Sequence, residues 1–142
     1  MIKEIQNNII TALSGVANTK KYFGELSDPK NPGLTDGELP LILVDFVGDS
    51  ILGSDRTLLF NIYFVHLSYS ANEETRGKKI IEVANLINEA DKALLKSYIG
   101  ANVELKNLKK IYDSKSKKGY LTIFTRQIAA TYWLDFFEEE VS

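Results

Sequence analysis

Residues 57–70 read Thr-Leu-Leu-Phe-Asn-Ile-Tyr-Phe-Val-His-Leu-Ser-Tyr-Ser, the strongest strand signal in the chain. Strand alternation puts Leu58, Phe60, Ile62 and Phe64 on one face and Leu59, Tyr63, Val65 and Leu67 on the other. A strand apolar on both faces is covered on both. Upstream, residues 41–47 are a second apolar run rich in strand formers, and a turn-rich loop over 48–55 follows it. Tyr22 to Leu26 reads as a short strand before these. Downstream, 103–112 reads as a strand with disturbed alternation around Asn107. A lysine-rich turn at 113–119 leads into a long strand over 120–134, with a bulge expected near Ala129 and Ala130.

Two segments carry helical periodicity instead. Ile2, Ile5, Ile9, Leu13 and Val16 recur at steps of three or four, and Gly15 weakens the last turn before an end near Asn18. The second helix is expected to start at Ser70, spaced from Glu73 as a capping box, with Asn72 as the competing cap. It runs to about Tyr98 with Ile80, Val83, Ala84, Ile87, Ala90 and Leu94 as its buried stripe. Glu74 and Lys78 are an (i, i+4) pair, and Gly100 is the stop signal.

The order is therefore α-β-β-β-α-β-β. It implies an α+β domain spanning 1–142: a mostly antiparallel sheet of four to five strands with two helices packed on one face. Two helices cover one face only. Leu59, Tyr63 and Val65 on the opposite face then call for another cover, and symmetric self-assembly is the commonest. Charge placed at Tyr63 or Val65 is expected, on this view, to leave a folded subunit that no longer assembles.

The 142 residues make one domain. With 44% hydrophobic and 25% charged residues, the chain is neither disordered, nor a collagen-like fibre, nor a membrane bundle. Seventeen basic and nineteen acidic side chains leave a net charge of −2, so the chain as a whole is not built to coat nucleic acid or an anionic membrane. The absence of cysteine removes thiol nucleophiles, thiolate metal sites and disulfides, and fits a reducing cytoplasm. The one histidine, His66, rules out a multi-histidine metal site within one chain. No secretory leader is visible at the start, where Glu4, Gln6, Asn7 and Asn8 break any apolar stretch. The longest run without Asp, Glu, Lys or Arg, 57–72, is shorter than a membrane span, so a cytosolic protein without membrane contact is expected.

The segment Leu39-Pro40-Leu41-Ile42-Leu43-Val44, the strand from Leu58 to Ser70, the helix from Arg76-Gly77-Lys78-Lys79-Ile80-Ile81 through Leu95, and the closing hairpin together resemble the bacteriophage tail-terminator proteins. These include tail-completion proteins of the Mu-like prophage type. The resemblance lies in element order and hydrophobic pattern and covers nearly the whole chain. It implies a ring, hexameric when assembled, on the head-proximal end of the tail tube. Such a ring stops tube polymerisation and offers a surface to the head–tail connector, and DNA passes through its hole without sequence-specific binding. The implied location is the virion tail, assembled in the bacterial cytoplasm. The family has no catalytic signature, so neither an enzyme nor a cofactor is implied.

His66 has the character of a general base, with Asp45 or Glu25 to orient it, but no nucleophile accompanies it, and a polar strand residue is the simpler reading. Asp45, Asp49 and Asp55 are oxygen ligands suited to a hard cation, yet they lack the dense spacing of a calcium loop. Gly48 and Gly53 do not form a phosphate loop. Residues 76–118 hold eleven basic and five acidic side chains, with Lys106, Lys109, Lys110, Lys115, Lys117 and Lys118 on one hairpin flanked by Tyr112 and Tyr120. Lysines neutralise phosphates and rings stack on bases; lysines also keep an edge strand from aggregating. Phe136 and Phe137, ahead of Glu138-Glu139-Glu140, are either a docking tail or a core closure, and the acid run opposes the lysine hairpin in sign. Complementary patches of this kind favour head-to-tail rings.

The expected subunit contacts are the strands at 57–69 and 120–134 and the loops at 27–38 and 48–56, which order on assembly. Leu59, Tyr63, Val65, Leu67, Arg126 and Tyr132 are the interface candidates. Lys109, Lys110, Lys115, Lys117 and Lys118 are the candidates facing a partner or DNA. The alternatives are a head–tail connector or adaptor and, in another class, a small nucleic-acid-binding domain using the Lys106–Lys118 hairpin.

Overall fold

The computed structural model describes residues 1–68 and 73–134. The elements are α1 (Ile2–Ser14), β1 (Asn18–Lys21), β2 (Leu41–Leu52), β3 (Asp55–Ser68), α2 (Glu73–Lys96), β4 (Asn102–Ser116) and β5 (Gly119–Trp133). The fold is α+β, in the order α-β-β-β-α-β-β. The sheet has five strands in the order β1-β2-β3-β5-β4. Only β1–β2 is parallel; the other three pairings are antiparallel. No helix of the described residues is long and apolar enough to cross a membrane. The expected cap at Ser70 and Asn72 and the tail from Phe136 to Glu140 lie outside the described residues.

β3 is the central strand, as its two apolar faces require. Leu58, Phe60, Ile62 and Phe64 join Ile5, Ile9 and Leu13 of α1 and Val83, Ile87, Ala90 and Leu94 of α2 in the main core. The α2 stripe is narrower than expected, because Ile80 and Ala84 are exposed. Lys78 and Glu74 lie 3.9 Å apart on the solvent side. Both helices pack on this one face.

The other face corrects the sequence reading. Over the half near the start of β2 it is covered by the chain's own 22–40 segment. Leu26 and Leu34 pack with Leu41, Leu43, Val65, Leu67, Leu121 and Ile123 in a second buried cluster, flanked by Tyr22, Leu39, Tyr63 and Tyr112. The Tyr22 and Tyr63 rings lie 5.0 Å apart. Val65 is 0% exposed and Leu67 7% exposed in the single chain. These two residues are core, not subunit interface. The breaker-rich loop therefore supplies two leucines that replace the missing partner layer. Over the other half, the pairings Asp45↔Asn61 and Asn61↔Gln127 put a polar row on this face, so that half needs no apolar cover.

Several boundaries also differ. The strand expected at 22–26 lies earlier, at β1, where parallel pairing to residues 41–44 holds it. The loop expected at 48–55 is strand: β2 continues past a register shift between Phe46 and Gly48 and turns only at residues 53–54. Gly53, at φ +62°, takes the first turn position, as glycine-first two-residue hairpins require. The disturbed alternation near Asn107 is a register shift between Leu105 and Leu108, with a second between Lys110 and Tyr112. No such shift falls at Ala129 and Ala130, which pair in regular sequence with Leu59 and Leu58.

Candidate assembly interface

A sheet offers partners its edges. β1 covers β2 only from Leu41 to Val44. From Asp45 to Leu52, β2 has β3 on one side and, among the described residues, no strand on the other. β4 is the opposite outermost strand along its whole length. Each edge presents backbone N–H and C=O groups in a row, a template for a further strand.

The topology orients these edges. β2 is antiparallel to β3, β3 to β5, and β5 to β4, so β2 and β4 run in opposite directions. A copy rotated about an axis along the strands can set its β2 beside this β4 and continue the antiparallel alternation. Register through the sheet puts Asp45 level with Gln127, beside the β4 bulge at Lys106 and Asn107, and Ser50 level with Asn102. The β2 edge carries Asp45 and Asp49 and no basic residue between 45 and 52, whereas β4 carries Lys106, Lys109, Lys110 and Lys115 together with Glu104 and Asp113. Pairing two β2 edges brings like charges together, which a mixed-charge β4 edge avoids.

The stem of the β2–β3 hairpin is held rigid. Arg56 Nε donates to Asp49 Oδ2 at 2.7 Å and Arg56 Nη1 to the Tyr132 hydroxyl at 3.2 Å. The Thr57 and Thr131 hydroxyls bond at 2.9 Å. Beyond this stem the tip is apolar and exposed: Ile51 at 59%, Leu52 at 85%, and Trp133 of β5 at 68%.

The other interface candidates fall apart by face. Leu59 and Tyr63 are half-buried on the face away from the helices. Arg126 and Tyr132 are on the helix face, in register with Ile62 and Arg56. Arg126 is already committed within its own chain. Its Nη2 donates to Asp91 Oδ2 at 2.7 Å and its Nε to Asp91 Oδ1 at 3.2 Å, while Nη1 donates to the Lys106 carbonyl at 2.9 Å. It clamps α2 to the β4 bulge, and these donors are used within its own chain. Tyr132 packs against the main core and accepts from Arg56. The sequence placed a contact at 48–56 but missed that residues 48–52 continue β2 as a strand with an open edge. The signal was there, in Ile51 and Leu52 ahead of Gly53, but the glycines and Ser50 masked a continuing strand.

The lysines do not form one patch. Lys109 pairs with Thr125 on the face away from the helices, whereas Lys110 pairs with Phe124 on the helix face and bonds Asp113 at 3.3 Å. Lys115 lies beside Tyr120 in the ladder, and Lys117 and Lys118 form the turn, where the Lys117 N–H donates to the Lys30 carbonyl at 2.8 Å. Lys106 bonds Glu104 at 2.9 Å.

No catalytic arrangement forms around His66 from the residues expected to orient it. His66 lies on the helix face, in a narrow pocket with Arg76, Lys79, Asp113, Tyr120 and Thr122. Asp45 is on the opposite face, its pKa raised by burial, and Glu25 pairs with Lys20 at 3.6 Å. Asp45, Asp49 and Asp55 do not converge; among the described residues no three His, Cys, Asp or Glu side chains do.

Burial, then the Lys79 charge, lowers the His66 pKa, and Glu82 at 3.4 Å only partly opposes them. The unfolded chain takes up the proton near pH 6.5 and the folded chain only below that. Between these points the unfolded state holds more protons, so stability falls as pH drops from about 6.5 toward the folded value. His66→Gln is expected to reduce the fall in stability as pH drops below about 6.5. Urea titrations of both proteins check this; parallel profiles would refute it.

No protein-family model and no curated protein matches the chain.

Proposed function

We propose that this chain is a tail-terminator-like assembly protein. Copies join edge to edge into a hexameric ring that caps a phage tail tube, stops its growth and presents its far side to the head–tail connector. DNA crosses the ring without base-specific contacts. One observation supports the reading: the outer strands β2 and β4 run antiparallel to each other, and among the described residues each has an open edge. A head-to-tail contact of this kind closes when the rotation permits and covers the open stretch of β2.

The division of the lysines between two faces and their pairing with Glu104 and Asp113 favour this over a nucleic-acid module. Native mass measurement of the chain, alone and mixed with tail tubes, is the test. A species of six 16.0 kDa chains, present alone or on tube ends, is expected, together with tubes that stop growing when the protein is added. Tubes that grow unchanged and carry no bound protein would refute termination. Normal tails left detached from full heads when the protein is missing would place it with the connectors instead.

A further inference from the structure

On the sheet face away from the helices, each open edge carries a charge that its own chain leaves unpaired, and the two are opposite in sign. Asp45 of β2 lies half-buried on that face, with Asn61 as its cross-strand neighbour. Among the described residues no hydrogen bond or ion pair reaches its carboxylate, and burial raises its pKa with no cation to lower it. The next acid on β2, Asp49, already holds Arg56. On β4, Lys106 and Lys110 are bonded to Glu104 and Asp113. Lys109 is exposed, stands on the same face as Asp45, and has no such partner among the described residues. A half-buried carboxylate without a cation is costly until a cation reaches it.

The lengths of the two edges fit a pairing of these charges. β1 leaves β2 after Val44, so a joining strand has residues 45–52 to pair with. Residues 102–109 of β4 match that stretch residue for residue. Set antiparallel with Asn102 opposite Leu52, they bring Lys109 opposite Asp45. Within one sheet Lys109 stands level with Leu43, so the join is shifted by two residues, and an even shift keeps every side chain on its face. Closing strands around an axis itself requires a stagger. Beyond Lys109, β4 shifts register again between Lys110 and Tyr112. A bulge bends a strand, and this one falls where the joining strand meets the neighbour's β1. Tyr22, which feels the Asp45 charge, has its ring 5.0 Å from that of Tyr63. Aromatic rings beside a carboxylate add to its attraction for an ammonium group.

We propose that Asp45 of one subunit receives the ammonium group of Lys109 from the next. The proposal rests on the ring reading and assigns its register: backbone pairing of the edges supplies direction, and this ion pair fixes which residues meet. A one-residue slip is already forbidden, because it turns every side chain to the wrong face. A two-residue slip leaves the faces matched but separates Asp45 from Lys109, so the pair decides what the pleat does not.

Charge reversal tests the contact. Asp45→Lys and Lys109→Asp, each alone, put like charges together at every joint, and each is expected to weaken assembly by about tenfold or more. Native mass measurement, alone and on tail tubes, reads this. Mixed in equal amounts, the two variants can alternate around an even-membered ring, so that every joint regains one acid and one base. Assembly near the wild-type level is expected of the mixture. A mixture that assembles no better than either variant, while the wild type forms rings, overturns the Asp45–Lys109 contact and leaves the ring reading standing. Loss with Asp45→Lys and none with Lys109→Asp means that another cation meets Asp45, and overturns it as well. Should the lysine at 45 prevent folding, Asp45→Asn keeps the shape of the side chain. Combined with Lys109→Met, it is expected to lose no more than the larger single loss; additive losses overturn the contact. Wild-type chains that stay monomeric with and without tubes overturn the ring reading together with this contact.

Discussion

Val65→Asp is expected to unfold the chain, not to leave a folded subunit that has lost its partners. The side chain is fully buried between Leu41, its cross-strand neighbour, and the Leu26 and Leu34 layer. An aspartate there meets no cation in this cluster and loses its hydration. A cost of about 4–5 kcal/mol or more follows, comparable to the whole stability of many domains. Leu34→Ala separates the cover from the strand. Its side chain is buried in the same cluster, and its truncation is expected to cost about 2–3 kcal/mol. Leu59→Asp, on the same face but beyond the cover, is expected to cost about 1 kcal/mol and to stay folded. Denaturant titration with native mass measurement checks all three. A folded Val65→Asp chain with wild-type stability would mean that the 22–40 segment does not cover this face in solution.

The contrast shows which parts of the fold sequence pattern can reach. Periodicity found both helices, the central strand and the lysine-rich hairpin, because each is a run of residues whose neighbours in sequence decide its face. It failed at residues 22–40, where Leu26 and Leu34 sit singly among Ser, Asp, Pro, Lys, Asn and Gly. Two leucines in a loop have no period. Their burial is decided by the greasy half-face of a sheet built from residues far along the chain. The same blindness moved the interface: an apolar strand face suggested a missing partner, and the partner was a loop of the same chain. The β2 edge was hidden for the opposite reason. Gly48 and Ser50 weaken strand propensity locally, yet pairing with Leu59 and Thr57 carries the strand through. Arg126 was misplaced because alternation assigns a face but not a partner, and its partner Asp91 lies 35 residues away on α2.

That pair has the second large effect. Arg126→Met is expected to destabilise the chain by about 2–3 kcal/mol through loss of charge-assisted hydrogen bonds. The pair is largely buried, with side chains 15% and 16% exposed. Removing the guanidinium leaves the Asp91 carboxylate beside the sheet without its two donors, and leaves the Lys106 carbonyl without a third. The double variant with Asp91→Leu is expected to recover part of the loss. An apolar pair avoids the desolvation of two charges, whereas a lone buried charge carries it uncompensated. The double-mutant cycle therefore reads the coupling directly. Thermal unfolding resolves it, since 1 kcal/mol moves the midpoint by about 2–4 °C for a chain near this size. Because Arg126 also holds the bulge at Lys106, its loss loosens β4 where the acidic edge of a neighbouring copy is proposed to dock. Assembly should then weaken in Arg126→Met more than in a core variant of equal stability, such as Ile87→Val with a second small truncation on α2. Equal weakening in both would leave the clamp a role in folding alone.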